Sequence, residues 1–143
     1  MDILNRQKIK NVDIKKVRKY LGKIFSYLMI EPKRASFVLC DNSFIKKLNN
    51  KYFNKSIPTD VIAFPLADDI EPDYLGEAVV SVEEAVLTSK ELKIDWQKEL
   101  LLYLIHGVLH LVGFRDDTPV ERKKIEQKQQ EVLARFKTVK LEQ

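Results

Sequence analysis

The sequence predicts an α+β fold in a single domain over residues 1–143. It should hold a small mixed sheet of about four strands and about five helices around a buried central helix. Three observations lead there. Short apolar runs of strand length are intermixed with segments of helical period. One helical segment, Leu100 to Val112, is apolar at every position except His106, Gly107 and His110, and a helix apolar all round is a buried one. A chain of 143 residues is long enough for one sizeable core, with no repeat, low-complexity linker or second domain in view.

Taken in order, residues 1–10 alternate weakly through Ile3, Leu4 and Ile9, which fits an edge strand. Asp13 is a good N-cap for a helix over about 14–29, with Ile14, Val17, Leu21, Ile24, Phe25 and Leu28 at helical spacing. Glu31-Pro32 should break it. Ala35 to Cys40 reads as a strand, and Asp41-Asn42-Ser43 as a turn that caps a short helix from Phe44 to Tyr52. Residues 53–59 form a polar loop, Asp60 to Pro65 a strand stopped by proline, Ala67 to Tyr74 an acidic loop, and Gly76 to Val82 another strand. Ser81 or Val82 opens a helix from about Glu83 to Leu92, with Glu83 and Glu84 favourable in its first turn. Asp95 caps the central helix. Thr118-Pro119 starts a last helix, Val120 to about Phe136, with Ile125, Val132, Leu133 and Phe136 inward and a frayed tail after it.

The central helix carries the only two histidines of the chain, spaced i, i+4. On a helix they stack one turn apart on one face and can offer two imidazole nitrogens to one metal ion. Gly113 suits the left-handed residue that ends a helix, letting the chain double back and Phe114 return to the core. Arg115, Asp116 and Asp117 follow, within reach of a metal. His106, His110 and Asp116 thus form a candidate His-x3-His-x5-Asp site. Three protein ligands with a position left for water is the pattern of a catalytic zinc. The alternative is two buried histidines satisfied by backbone carbonyls; the spacing and the nearby carboxylate favour metal.

Composition bounds the rest. The chain is 45% hydrophobic and 32% charged, as ordinary globular proteins are. The apolar central run is too short for a bilayer, which needs about 20 residues, so no membrane role is expected. The single cysteine, Cys40, fits a reducing cytosol and a buried small hydrophobe, and MDILNRQKIK has no signal-peptide core, so the expected location is cytoplasmic. Residues 1–24 carry eight Lys/Arg against two Asp, and residues 66–99 ten acidic groups against three lysines. Such asymmetry suits an oriented partner such as nucleic acid, and equally a solvated helix face.

Three stretches resemble one family. HGVLHLVGFRDD is similar to the HGxLHLxGYDH signature of the YbeY family of bacterial endoribonucleases and ribosomal RNA maturation factors. PTDVIAFP, Pro58 to Pro65, resembles its PTDVLSFP strand, and LGEAVVS, Leu75 to Ser81, its LGDIVIS strand. LNNKY before the first of these looks like its LNxxY, and order and spacing match over roughly residues 35–135. The resemblance implies a zinc-dependent, single-strand-specific endoribonuclease, with one zinc per chain, acting in small-subunit ribosomal RNA maturation and ribosome quality control. It implies ribosomal RNA, the small ribosomal subunit and ribosome-assembly proteins as partners. Two positions depart from the pattern. Asp116 stands where the family's third zinc ligand is a histidine; carboxylate remains an acceptable ligand, though its charge makes bound water less acidic. Phe53 stands where the family usually has an arginine thought important for cleavage; Arg115, Lys51 or Lys55 could supply a cation instead.

Chemically, a metal there lowers the pKa of bound water to roughly 7 and polarises a phosphoryl oxygen. Catalysis would rest on His106, with Arg115 as a cation and Asp117 as a proton acceptor or a helix cap. Serine or thiol nucleophile schemes lack a spare histidine as base. Gly107 occupies the place of the glutamate in HExxH, which ranks a peptidase low; the glycine suits close approach of a strand or of substrate. The rival reading is a non-catalytic ribosome-assembly factor whose metal ties the central helix to the following loop.

Overall fold

Side-chain alternation along the strands decides the layering. In the computed structural model, residues 1–31, 34–66 and 73–143 are described. They contain β1 (Asp2–Asn5), α1 (Ile14–Tyr27), β2 (Arg34–Cys40), α2 (Asn42–Phe53), β3 (Val61–Pro65), β4 (Tyr74–Ser81), α3 (Val82–Leu92), α4 (Trp96–Leu111) and α5 (Pro119–Leu133). The sheet order is β1-β2-β4-β3, with β1, β2 and β4 parallel and β3 antiparallel to β4. Phe37 and Leu39 of β2 and Ala78 and Val80 of β4 face one core with α1, α4 and α5. Val38 and Cys40 of β2 and Val79 of β4 face the other, closed by Ile45, Phe44 and Leu48 of α2. The strands are therefore apolar on both faces, as strands sandwiched between helices must be.

Helix α4 crosses the larger core. Leu100, Leu101, Leu104, Ile105, Val108 and Leu109 are fully buried, and each of the leucine and isoleucine side chains contributes about 1.5–3 kcal/mol relative to exposure. It packs on β3, β4, α3 and α5. Its approach to the sheet depends on Gly107: a Cβ there would sit 3.1 Å from Ala78 Cβ and 3.5 Å from Val61 Cγ1. The glycine thus serves strand approach, one of the two roles its position allowed.

Caps fix the element ends. The Asp13 carboxylate accepts from Lys15 N and Lys16 N, Asp41 from Phe44 N, Ser81 Oγ from Glu84 N, and Asp95 from Gln97 N. Thr118 and Glu121 form a reciprocal capping box, with Pro119 opening α5. α1 ends before the expected proline break, where Met29 takes φ +58°. Pro32 and residues 67–72 of the expected acidic loop lie outside the described residues.

Two expectations at the C-terminus need correction. α5 ends at Leu133 rather than Phe136; Phe136 lies beyond the helix and packs on Tyr20, ring centroids 5.3 Å apart. The tail is not frayed. Val139 and Leu141 are buried, Asp13 N donates to Leu141 O, and Gln97 Oε1 accepts from Leu141 N and Glu142 N. Residue alternation, with Val139 and Leu141 inward, is the signal of this extended packing.

Burial pushes the Cys40 thiol up to about 12, with Asp41 adding to the shift. The unfolded thiol ionises around its ordinary value of 9.0. Stability from keeping it neutral is full below that pH and is lost as pH rises through the window up to the folded value. The stability advantage of the wild type over Cys40→Ala should therefore fall above pH 9, by up to about 1.4 kcal/mol per pH unit. Urea titrations of both proteins on either side of that pH measure it; a constant difference would show that the thiol is solvated.

Candidate metal centre

The last turn of α4 and the chain reversal after it assemble the site. Val112 caps the helix. Gly113, at φ +109°, sends its N–H to His110 O at 3.1 Å, and Phe114 N reaches back to Leu109 O at 2.9 Å. These two bonds are the Schellman pattern, which satisfies carbonyls that the helix leaves open. The reversal turns Phe114 onto the core and brings Asp116 back beside the final turn.

His106 and His110 project from one face of α4, both half-buried. Their Nε2 atoms lie 2.9 Å apart, and His110 Nε2 lies 3.3 Å from Asp116 Oδ2. One ligand atom from each of His106, His110 and Asp116 falls within 4.8 Å of the others. Burial holds the His110 imidazole below its ordinary 6.5; His106 acts in the same direction and Asp116 opposes both. His110 is thereby biased towards the neutral form, with a lone pair to give.

Gln129 on α5 contacts His106 Nδ1 through its side-chain oxygen Oε1. An amide oxygen only accepts, so Nδ1 carries the hydrogen and the Nε2 lone pair points into the site. Two imidazole nitrogens facing each other at that distance repel unless a proton or a cation lies between them. Two nitrogens and a carboxylate oxygen converging on one point are a donor set that suits zinc, so the residues fit the metal the sequence suggested. Sequence reasoning missed Gln129. Its signal was available: it sits four residues after Ile125 and three and four before Val132 and Leu133, on the inward stripe of α5, as the polar member.

The other candidate residues take different places. Arg115 Nη2 lies 2.6 Å from Asp117 Oδ2, and Arg115 Nε lies 3.6 Å from Glu121. The Arg115 side chain is 70% exposed and Asp117 63%, so the pair stands on the rim. Two recesses meet at the candidate ligands. One is lined by His110, Asp116, Arg115, Asp117, Ala63 and Pro65. The other, about 350 Å³, is lined by His106, His110 and Asp116 together with Phe53, Lys55 and Asp60. Asn49, buried in α2, donates to Ile57 O at 3.0 Å and ties the loop that carries Lys55. No helix among the described residues is long and apolar enough to cross a membrane.

Comparison with known proteins agrees with this architecture. The family model for endoribonuclease YbeY matches residues 2–137. An endoribonuclease YbeY from Carboxydothermus hydrogenoformans is 38% identical over 100 residues, covering 70% of each chain. One from Syntrophus aciditrophicus is 30% identical over 137 residues, covering 92% of this chain and 86% of the relative. A solution structure of a Thermotoga maritima protein superposes with a TM-score of 0.62 at 27% identity, covering 94% of this chain and 90% of the other. With the family pattern running through every element that builds the site, the chain belongs to the endoribonuclease YbeY family.

Proposed function

We propose that this protein is a zinc-dependent endoribonuclease that cleaves single-stranded RNA, working in maturation of small-subunit ribosomal RNA and in ribosome quality control. The observation that carries the reading is the convergence of His106, His110 and Asp116 at the mouth of an open recess. Family membership supports the nuclease class. Cytoplasmic location and ribosomal partners follow from the same reading.

In this reading His106 and His110 give their Nε2 atoms to the zinc and Asp116 gives a carboxylate oxygen. When bound, the metal supplies Lewis acidity, making water a better nucleophile and drawing charge from a phosphoryl oxygen. The chain's own groups do the remainder. Gln129 keeps His106 in the tautomer that faces the site. Lys55 stands in the recess where a phosphate would enter. Asp117, held by two N–H bonds from Arg115, stands on the rim as a proton acceptor, and Arg115 offers its remaining N–H groups to phosphate. Hydrolysis forms one bond from water oxygen to phosphorus and breaks one phosphorus–oxygen bond of the chain, the leaving oxygen taking up a proton.

Phe53 favours a second reading. It lines the recess where the family resemblance implies an arginine, which suits an assembly factor whose metal is structural. The two readings separate on one experiment. Purified wild-type protein should cleave a single-stranded RNA, and both chelation and His106→Ala should abolish cleavage. A wild type that holds one zinc and leaves the RNA intact would select the assembly factor.

The ligand assignment is tested by metal titration. Asp116→Ala should weaken zinc binding, and Asp116→His should bind at least as tightly as wild type. Gln129→Ala should weaken it by about 10–100-fold, the range for losing an outer partner of a ligating histidine. Equal affinity for wild type and Asp116→Ala would move the third ligand elsewhere.

A further inference from the structure

Three aromatic rings stand together at the outer lip of the recess. Phe53 closes α2 and is 50% exposed; Tyr52 before it is 54% exposed. Phe53 stacks on Phe64 of β3 with the planes 17° apart and centroids 6.4 Å apart. Tyr52 meets the same Phe64 edge-on, at 5.1 Å and 63°. Phe64 packs inward against Val79 and Ile62, so the group is anchored in the smaller core. Its outer members are not. Ile57, on the loop after α2, is 59% exposed beside them in sequence. A soluble protein rarely leaves adjoining large apolar side chains in water without a use.

Position and charge say which use. Phe53 is both a ring of this group and a wall of the recess that holds the three metal ligands, so the patch runs into the site. Cations flank it. Lys51 Nζ lies 5.2 Å from the Tyr52 ring centre, and Lys55 lines the recess beside Phe53. Lys47 is exposed one turn before Lys51 on α2. The acidic groups in the recess are Asp116, a metal ligand here, and Asp60, whose carboxylate accepts from Val61 N and Thr59 Oγ1. Flat apolar faces interleaved with amines, continuous with a phosphate-cleaving site, match a single-stranded nucleic acid: bases on the rings, phosphates on the lysines.

We propose that Phe53, with Tyr52 and backed by Phe64, is a stacking platform that holds an unpaired nucleobase of the RNA next to the scissile phosphate. This rests on the endoribonuclease reading of the site. In place of an arginine's charge, Phe53 provides a ring face. It recognises any base, because every base has a π-face, and it favours single strands, because bases in a duplex are already stacked.

The test uses the intact zinc-loaded chain and a single-stranded RNA carrying one 2-aminopurine and phosphorothioate linkages that slow cleavage, with binding read on mixing. Wild type should bind and quench the probe. Phe53→Ala and Phe53→Leu should each weaken binding about tenfold, within the range for losing one base–aromatic stack, and Phe53→Trp should restore it. The slope of log affinity against log salt should stay as in wild type, because no phosphate contact is lost. Phe53→Leu keeps the apolar packing without the ring face, so wild-type binding by that variant would overturn the platform. A flattened salt slope in Phe53→Ala would overturn it too. So would a wild-type dimer that Phe53→Ala dissolves, which would assign the patch to a second copy. Wild type failing to bind RNA would instead bring down the endoribonuclease reading, and the platform with it. Binding by wild type and all variants alike would remove the platform and leave that reading standing.

Discussion

A helix buried on all but one stripe can satisfy its own backbone except at its ends, and that demand shapes the molecule around α4. The final carbonyls of α4 emerge beside the sheet, where each must find a donor. Val112, Gly113 and Phe114 supply three in succession, to Val108 O, His110 O and Leu109 O. The tight reversal that this requires needs a positive φ, which Gly113 adopts without strain. It also decides where the chain goes next. Phe114 falls back on the core, and the segment after it passes the last turn of α4, where His106 and His110 already point outward. Asp116 reaches His110 because the helix had to be capped. The candidate metal centre is a by-product of closing the core.

Charge completes the arrangement. Under the proposed reading, a dication held by two neutral imidazoles and one carboxylate keeps one net positive charge at the site. A carboxylate behind His106 would cancel it. Gln129, a neutral acceptor, orients the ring as a carboxylate would and leaves the charge in place for a phosphodiester. The residue at 129 and the residue at 116 therefore belong to one electrostatic solution, although they lie on different elements.

Much of this was legible in the sequence, for identifiable reasons. The caps at Asp13, Asp95 and Thr118 were readable, and those at Asp41 and Ser81 were narrowed to two or three neighbouring residues, because capping is local, settled by residues two or three apart. The His106–His110 pair was readable because helical spacing alone puts both on one face. Gly113 and Asp116 needed only the assumption that a helix ends at glycine. What escaped were contacts made across the fold. Gln129 lies 23 positions from His106; its place on the inward stripe of α5 marks it as inward-facing and polar, but nothing in that pattern names His106 as its partner. The C-terminal tail looked loose because its anchors, Asp13 N and Gln97 Oε1, belong to other elements. The order β1-β2-β4-β3, with β3 reversed at the edge, was likewise hidden, since strand periodicity carries no partner.

That edge strand joins the candidate metal site to the proposed stacking platform. β3 pairs with β4 on one side only, and its residues alternate between the two cores. Val61 and Ala63 turn inward, towards Gly107 and α4, and line the recess that holds the candidate metal ligands. Phe64 turns to the opposite face, onto the smaller core, and carries Phe53 and Tyr52. A displacement of β3 by one residue would exchange the two faces, putting the phenylalanine against α4 and opening a gap under the outer aromatics. Gly107 packs against the inward face: a methyl group added there would sit 3.1 Å from Ala78 Cβ of β4, tighter than an ordinary contact, and at an ordinary 3.5 Å from Val61 Cγ1 of β3. Pairing with β4 and the packing of α4 on both strands fix where β3 lies, and with it the spacing between the candidate metal ligands and the rings. Under the proposed reading, a nucleotide held on those rings meets the site at a distance set by the core, not by a loop.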